Sequence, residues 1–212
     1  MKDHEELVYL PMSSGLSASC QTAMGLAQDY NGRVQVVDNQ RIAVTLRQAV
    51  LDALYLADQG KSAAEIREVL EKEKFESSIY ITLETLYYLK KGGRITPAAA
   101  ALGTILNLKP VLQIQGERLD AFSKARGKIK AKKIMIEAAK KDLEGRFAEY
   151  QKQGLMVMQA AYTGNPEEAE EWKKEIMEAF PGMECYMAPL SLSIACHIGP
   201  GALGIGCTKK VQ

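Results

Sequence analysis

Residues 7–17, Leu-Val-Tyr-Leu-Pro-Met-Ser-Ser-Gly-Leu-Ser, pass from an apolar run through a polar turn into a stretch with helical character. The apolar run is typical of a buried strand, and the stretch from about Leu16 to Tyr30 is predicted to be a helix. Serine hydroxyls and the free amides at the start of a helix can hold a carboxylate or a phosphate without a metal. Serine-rich turns before helices are more often simple N-caps, so this turn alone is a weak signal.

The same strand-to-helix step recurs in the first part of the chain. Strands are predicted at 33–38 and 77–82, and helices at 46–57, 62–70 and 83–91. The second of these helices opens on Ser62 and Glu65, whose spacing is that of a capping box. Alternation of strands and helices favours a mainly parallel sheet with helices on both faces, which we assign to a first α/β domain over residues 1–92.

The pattern changes after Gly93. The predicted elements are an alanine-rich helix at 97–106, a β-hairpin at 109–114 and 117–122, a long helix at 124–150, a strand at 155–161, a helix that begins at Asn165-Pro166, and strands at 184–189 and 202–208. Hairpins and strands that alternate with only a few helices favour a mixed or antiparallel sheet. We therefore expect a second α/β domain over residues 93–212.

The composition is that of an ordinary globular protein, with 212 residues, 47% of them hydrophobic and 25% charged. No apolar run is long enough to span a membrane, and the first residues lack the apolar centre of a secretion signal, so a cytoplasmic protein is expected. The cysteines are scattered without a CxxC pair and there are two histidines. We expect no metal site, no disulfide framework and no cofactor, with the thiols as reduced, small core residues.

The charge is uneven although the net charge is only +1. Between Lys90 and Lys133 there are eleven lysines and arginines but two acidic residues. Such a segment is often a solvated helix face, and it can also bind phosphate, nucleic acid or an acidic protein. Nucleic acid is the weaker of these interpretations, because no aromatic platform or known motif accompanies the charge.

Two more stretches could carry chemistry. Residues 196–202, Cys-His-Ile-Gly-Pro-Gly-Ala, place His197 in a predicted glycine and proline loop, where its imidazole could donate to an anion. Residues 90–95, Lys-Lys-Gly-Gly-Arg-Ile, combine paired glycines with Arg94. The guanidinium group of Arg94 could bind an oxyanion through two N–H groups. Their plain interpretations are a structural histidine and a helix C-cap beside a surface arginine.

Taken together, these stretches resemble the DegV family of fatty-acid-binding proteins. The matching text is Ser-Ser-Gly-Leu-Ser at 13–17, Gln-Thr-Ala at 21–23, Leu-Glu-Thr-Leu-Tyr-Tyr-Leu-Lys-Lys-Gly-Gly-Arg-Ile at 83–95, Leu-Asn-Leu-Lys-Pro-Val-Leu at 106–112 and His-Ile-Gly-Pro-Gly-Ala at 197–202. The order and spacing of these motifs agree across essentially the whole chain. The combined signal is strong although each motif is modest.

The resemblance implies a two-domain DegV-like α/β fold that encloses a long-chain fatty acid between its domains. It implies a carrier rather than an enzyme, one that presents the bound acid to a separate fatty-acid kinase. The implied carboxylate-binding residues are Ser14, Gly15, Ser17 and His197, with Arg94 as an extra, and the loop-supporting residues are Gly92, Gly93, Gly199 and Gly201. Apolar material for the acyl chain is available in residues 98–108, Met156, Met158 and Met187. The basic run from Lys124 to Lys133 could dock the kinase.

Two features depart from the family pattern. The serine motif usually continues Gly-Thr-Tyr, whereas this chain has Ala18, Ser19 and Cys20. Relatives also carry about 70 further residues ahead of this point, so we expect the first sheet to lack strands and to have an exposed edge. Through that edge the chain could act as a shortened, oligomerising regulatory form. The other alternative is an enzyme or kinase-like subunit that uses His197 with Ser14 or Ser17 on a small carbonyl or acyl substrate.

Overall fold

A computed structural model of the protein describes residues 1–101 and 108–212. Its strands are β1 (Leu7–Tyr9), β2 (Val34–Val36), β3 (Ser77–Thr82), β4 (Leu108–Ile114), β5 (Asp120–Arg126), β6 (Met156–Tyr162), β7 (Cys185–Pro189) and β8 (Leu203–Lys209). Its helices are α1 (Ser19–Ala27), α2 (Ala43–Asp58), α3 (Ala63–Lys72), α4 (Tyr87–Gly92), α5 (Pro97–Ala100), α6 (Lys128–Glu144), α7 (Ala148–Lys152), α8 (Pro166–Ala179) and α9 (Leu192–Ile198). The capping box at Ser62 and Glu65 is confirmed at the start of α3.

The strands form two sheets. In the smaller one, β1 pairs with β2 in parallel. The larger sheet has the order β5-β4-β3-β8-β6-β7 and is antiparallel except for the β6–β7 pair. The mixed α/β fold class is therefore confirmed, with a parallel first sheet and a mixed second one.

Strand β3 lies in a different sheet from the one predicted. We expected residues 77–82 to extend the parallel sheet, but β3 pairs antiparallel with β4 and β8 at the centre of the larger sheet. Alternation of strands and helices gives the order of elements and not the partner of each strand, which explains the error. The sheets thus divide ahead of Ser77, and the domain boundary near residue 92 stays a prediction.

The larger sheet separates two apolar cores. On one face α6 and α8 pack on the strands and bury Trp172, Met135 and Tyr80. On the other face the next residue of β3, Ile81, packs in a second core with Leu16 and Ile198. Because successive side chains of a strand point to opposite faces, this alternation puts the serine turn and α9 on the same side of the sheet.

Several predicted helices are shorter or differently placed. Helix α4 begins at Tyr87, later than expected, and α5 ends at Ala100. Residue 101 lies in a turn, and residues 102–106 of the predicted 97–106 helix lie outside the described residues. The predicted 124–150 helix is wrong at its start, because residues 124–126 belong to β5. Gly127, with φ of 81°, ends that strand before α6 begins, and Gly145 separates α6 from α7.

Helix α9 was missed. We expected a glycine and proline loop at residues 196–202, and no helix was predicted ahead of it. The glycines in fact come directly after the helix, with Gly199 as its C-terminal cap residue. His197 therefore sits in the last turn of a short helix, which fixes its direction more firmly than a loop would.

Candidate functional site

The serine turn, residues 13–17, is anchored from two sides. Ser13 is fully buried, donates from its hydroxyl to the Glu117 carbonyl at 2.8 Å and from its amide to the Arg41 carbonyl at 3.0 Å. The Ser14 amide donates to Oδ1 of Asp38 at 3.2 Å. These bonds hold the turn against the segment that follows β2 and against the β-hairpin.

The free amides expected in this turn are not free. The Gly15 amide donates to the Ser13 hydroxyl, and the Leu16 and Ser17 amides donate to the Ser13 carbonyl. Helix α1 begins only at Ser19, so its N-terminus lies beyond the turn. The prediction of an amide cradle is therefore wrong, and the donors that remain for an anion are the Ser14 and Ser17 hydroxyls. Gly15 is required instead for space, because a Cβ there would clash with Glu117.

Arg94 ties the serine turn to the turn after α4. Its Nε donates to the Leu16 carbonyl at 3.4 Å, and its Nη1 donates to the Gly92 carbonyl at 2.5 Å. Two of the guanidinium nitrogens thus donate to backbone carbonyls rather than to an anion. The third nitrogen, Nη2, is left to donate to a ligand. Gly93 follows with φ of 67°, and this left-handed conformation ends the helix.

His197 lies directly against Gly92. A Cβ added at Gly92 would collide with Nδ1 of the imidazole, so only glycine allows the ring this close. Helices α4 and α9, which carry the two residues, pack against each other. The Leu16 carbonyl of the serine turn, Arg94, Gly92 and His197 therefore form one continuous set of contacts. That Ser14, Ser17 and His197 bind one carboxylate stays a prediction.

The glycines after His197 are held by residues that sequence reasoning missed. The hydroxyl of Thr163 donates to the Gly199 carbonyl at 2.6 Å and accepts from the Ala202 amide at 3.0 Å. A Cβ at Gly199 would strike the Tyr88 ring, and one at Gly201 would strike Glu84. Threonine after a strand carries no distinctive sequence signal, whereas Glu84 stood within the family motif without an assigned role.

Glu84 is the centre of an ion-pair cluster beside this loop. It pairs with Lys109 and, at 3.0 Å, with Lys128, which also pairs with Glu168 at 2.8 Å. Partial burial alone would raise the pKa of Glu84, but hydrogen bonds from the two lysines outweigh it and lower that pKa. The carboxylate is therefore charged at neutral pH and clamps the segment between β3 and α4 to β4 and α6.

A narrow apolar slot begins beside the polar cluster. It lies between the larger sheet, the first turn of α2 and α9, and every side chain that lines it among the described residues is apolar. Its cavity volume is only about 50 Å³, so the slot is narrow. Ile198, the neighbour of His197, and Ile42, the neighbour of Arg41, line the slot, so one end adjoins the candidate site.

The slot is lined by isoleucines and glycines rather than by the methionines that we expected. Met156 and Met158 are buried on the opposite face of the sheet, and Met187 packs against that same core. The floor of the slot is instead β8, where Gly204 and Gly206 leave room that side chains would fill. The expected contribution of residues 98–108 falls mostly outside the described residues.

The cysteines differ in part from the expectation of small core residues. Cys20 and Cys207 are buried and Cys185 is half-buried, but Cys196 is exposed on α9. Burial raises the pKa of the Cys185 thiol to about 11 and that of Cys207 to about 12, so both are inert thiols at neutral pH. Residues 1–101 and 108–212 hold no cluster of histidine, cysteine and acidic side chains suited to a metal ion. None of the helices in those ranges is both long and apolar enough to cross a membrane.

The family model described as "Uncharacterised protein, DegV family" matches residues 1–210. The chain belongs to the DegV family. A DegV domain-containing protein of Lactococcus lactis, YteA, is 35% identical over 208 residues, which are 95% of this chain and 69% of that protein. A DegV domain-containing protein of Deinococcus radiodurans is 31% identical over 202 residues, with 95% of this chain and 69% of that protein covered.

Solved DegV structures share the fold. A Thermus thermophilus DegV family protein, described by its fatty acid binding, superposes with a TM-score of 0.87 at 32% identity over 98% of this chain and 72% of that one. DegV of Bacillus subtilis, described as a fatty acid binding protein, gives a TM-score of 0.81 at 27% identity over 99% of this chain and 72% of that one. The DegV resemblance drawn from the sequence motifs is thereby confirmed.

Proposed function

We propose that this DegV chain binds one long-chain fatty acid, with its acyl chain in the slot and its carboxylate at the cluster formed by Ser14, Ser17 and His197. The observation that carries the proposal is the junction of the two features. Ile198 lines the apolar slot and directly follows His197 in α9, so a molecule with an apolar chain and a polar head group matches both features. The fatty acid binding described for DegV proteins of Thermus thermophilus and Bacillus subtilis supports the same ligand class.

The slot would supply most of the affinity. Burial of about 15 methylenes at ~0.8 kcal/mol each gives a gross transfer free energy of order 12 kcal/mol. A hydrogen bond to a charged group contributes only about 1.5–3 kcal/mol. Because the empty slot is narrow, the acyl chain has to widen it, and the isoleucine side chains that line it must change rotamers. The polar cluster would therefore fix orientation rather than strength.

The carboxylate would be held by hydroxyl and imidazole donors. Ser14 and Ser17 hydroxyls are the free donors of the serine turn, and His197 adds an imidazole from α9. Asp38 and Glu117 flank the same turn and disfavour an anion on their side, so the carboxylate belongs on the side of His197 and Arg94. We keep Arg94 as an extra contact through Nη2 only.

The slot also opens to the surface between α2 and α9. Ile42, Ala43 and Ile194 line both the slot and a shallow groove that continues along α2 past Leu46 and Val50. The methyl end of a long acyl chain can follow this groove. Arg47, stacked 3.7 Å from the centre of the Tyr186 ring, stands beside the opening.

We further propose that the protein is a carrier for a fatty-acid kinase and not itself an enzyme. An enzymatic histidine needs a group that orients it, and no acidic side chain in the described residues is hydrogen-bonded to His197. The basic run offers a docking surface that is smaller than expected. Lys128 and Lys132 are engaged with acidic residues, which leaves Lys124, Arg126, Lys130 and Lys133 exposed for an acidic partner.

Native mass spectrometry of the purified chain, followed by organic extraction, tests ligand binding. We expect an adduct with the mass of one long-chain fatty acid, or its appearance after incubation with palmitate. A chain that neither carries nor accepts palmitate would contradict the proposal. The carrier role is tested separately, by ATP-dependent formation of acyl phosphate from bound palmitate by a fatty-acid kinase. Wild type should support it, and a Lys130→Glu, Lys133→Glu variant that still binds palmitate should not.

A further inference from the structure

Residues 38–43, which lead from the end of β2 into the first residue of α2, are strained. Gln40 and Ala43 have φ of 54° and 52°, a left-handed conformation that side chains other than glycine seldom adopt. Such backbone strain persists only where the surroundings fix it, and it concentrates at functional sites. Contacts with the surrounding residues must therefore hold this segment in its strained conformation.

The strained segment supports the candidate site directly. Its Asp38 carboxylate accepts from the Ser14 amide, and its Arg41 carbonyl accepts from the Ser13 amide. Its Ile42 side chain lines the slot. Both the serine turn and the first wall of the slot thus take their position from six consecutive residues, of which 38–42 form neither helix nor strand and Ala43 begins α2.

A buried arginine holds the segment in place. The Arg41 side chain is only 2% exposed, and its Nη2 donates to the Glu73 carbonyl at 2.7 Å. Its Nη1 lies 3.9 Å from Oδ2 of Asp52 on α2, which is equally buried. The other carboxylate oxygen of Asp52 accepts from Gln48 and from the Val211 amide. Arg41 therefore joins the strained segment to α2 and to the end of α3.

The ion pair of Arg41 and Asp52 is poorly suited to stabilise the folded state. Among the described residues, Nε of Arg41 and Oδ2 of Asp52 have no hydrogen-bond partner. Burial lowers the pKa of Arg41 and raises that of Asp52, so each charge is disfavoured where it stands. Apolar residues of similar volume often replace buried ion pairs without loss of stability, which makes a conformational role the better explanation here.

We propose that Arg41, braced by Asp52, is a positioning residue that fixes residues 38–43 and thereby holds the serine turn in register to bind the carboxylate. It touches no ligand and acts through Ser13 and Ser14. The inference rests on the proposed fatty-acid function and adds a residue to it that lies outside the family motifs quoted above.

The test compares an acid with an alcohol of the same chain length. Palmitate and hexadecanol have the same chain length and differ in the head group. The ratio of their affinities therefore measures how strongly the protein binds the carboxylate. We expect Arg41→Met to lower that ratio on the order of tenfold, because any loosening of the slot wall at Ile42 weakens the binding of both ligands alike. Asp142→Asn is the matched control. It removes a half-buried carboxylate that accepts hydrogen bonds from the Ser78 and Tyr80 hydroxyls on the opposite face of the sheet. It should leave the ratio unchanged.

A measurement without lipid separates this inference from the proposed function. In Arg41→Met, hydrogen exchange of the Ser13 and Ser14 amides should be on the order of tenfold faster, with exchange at the Val37 amide unaffected. Asp52→Asn serves in the same assays if Arg41→Met does not fold. A folded variant that keeps the wild-type affinity ratio or the wild-type exchange rates overturns the positioning role. A wild type without preference for palmitate contradicts the proposed function instead, and the exchange rates then decide the role of Arg41.

Discussion

Gly92 and His197 are in direct contact: the imidazole occupies the space that a Cβ at residue 92 would take. The contact joins the last residue of α4 to the last turn of α9, two elements more than a hundred residues apart in the chain. It explains why a glycine that is not itself in the left-handed region stands at this position. The space beside His197 is therefore set by the absence of one methyl group.

The Gly92→Ala variant should bind the carboxylate of palmitate more weakly. The added methyl forces the His197 ring away, so palmitate affinity should fall several-fold while hexadecanol affinity stays the same. His197→Ala should give the same fall, and the double variant should be no worse than either single one, because both remove one interaction. Gly25→Ala on α1, where a Cβ meets no atom within 4 Å, is the control. Additive losses in the double variant would contradict this account of the contact.

The Gly204→Val variant should fill the slot. A Cβ at Gly204 finds its nearest atom at 3.5 Å, an ordinary contact, and valine suits a strand, so the protein should fold. The larger side chain then occupies the floor of the slot, and palmitate affinity should fall by about tenfold or more. Titration calorimetry measures the affinity, and the melting temperature reports the fold. Gly25→Val is the control of equal size, and a folded Gly204→Val protein with wild-type affinity would show that the acyl chain lies elsewhere.

The sequence suffices to propose part of the candidate site, and the remainder has physical reasons for being missed. Ser14, Gly92, Arg94 and His197 could be proposed because short motifs carry them. Arg41 and Thr163 could not, because their contacts join distant segments that no local pattern encodes. The amide cradle failed because one buried hydroxyl and one carbonyl, both of Ser13, already take the amides that a helix start would leave free.

The fold shows the same division. The first two strands, the hairpin and α8 follow from local patterning, turn residues and caps. The pairing of β3 with β8 does not, since it joins residues more than a hundred positions apart and depends on which apolar faces meet. Helix α9 was missed because its seven residues are too few to show a clear helical period before Gly199.

The Glu84 cluster predicts a pH dependence of stability. The pKa of Glu84 in the folded protein lies below its ordinary value of 4.5, so the unfolded chain binds its proton more readily. The stabilisation is therefore complete above that value and is lost as the pH falls through the lower folded pKa. Melting temperatures of wild type and Glu84→Gln from about pH 3 to 7 should differ most at neutral pH and converge in acid. Glu170→Gln, an exposed change on α8, is the control, and its melting temperature should follow that of wild type at every pH. If the melting temperatures of Glu84→Gln and wild type differ by the same amount at every pH, the stabilising role of the Glu84 ion pairs is refuted.

The edge of β1 predicts self-association. Within the described residues β1 pairs only with β2, and Leu7 and Tyr9 are 40% and 43% exposed. An apolar edge strand of this kind favours pairing with a second copy of the chain. Light scattering should show a mass that rises with concentration for wild type and not for Tyr9→Lys, whereas Ile129→Lys on α6 should behave as wild type. A constant monomer mass for wild type would refute this prediction.

The most direct test of the central claim is a crystal structure of the delipidated chain soaked with palmitate. The account predicts one extended acyl chain in the slot beside Gly204, with its carboxylate within hydrogen-bond distance of His197 and of a hydroxyl of the serine turn. A palmitate whose carboxylate lies away from His197, or a slot that stays closed at saturating palmitate, would contradict it.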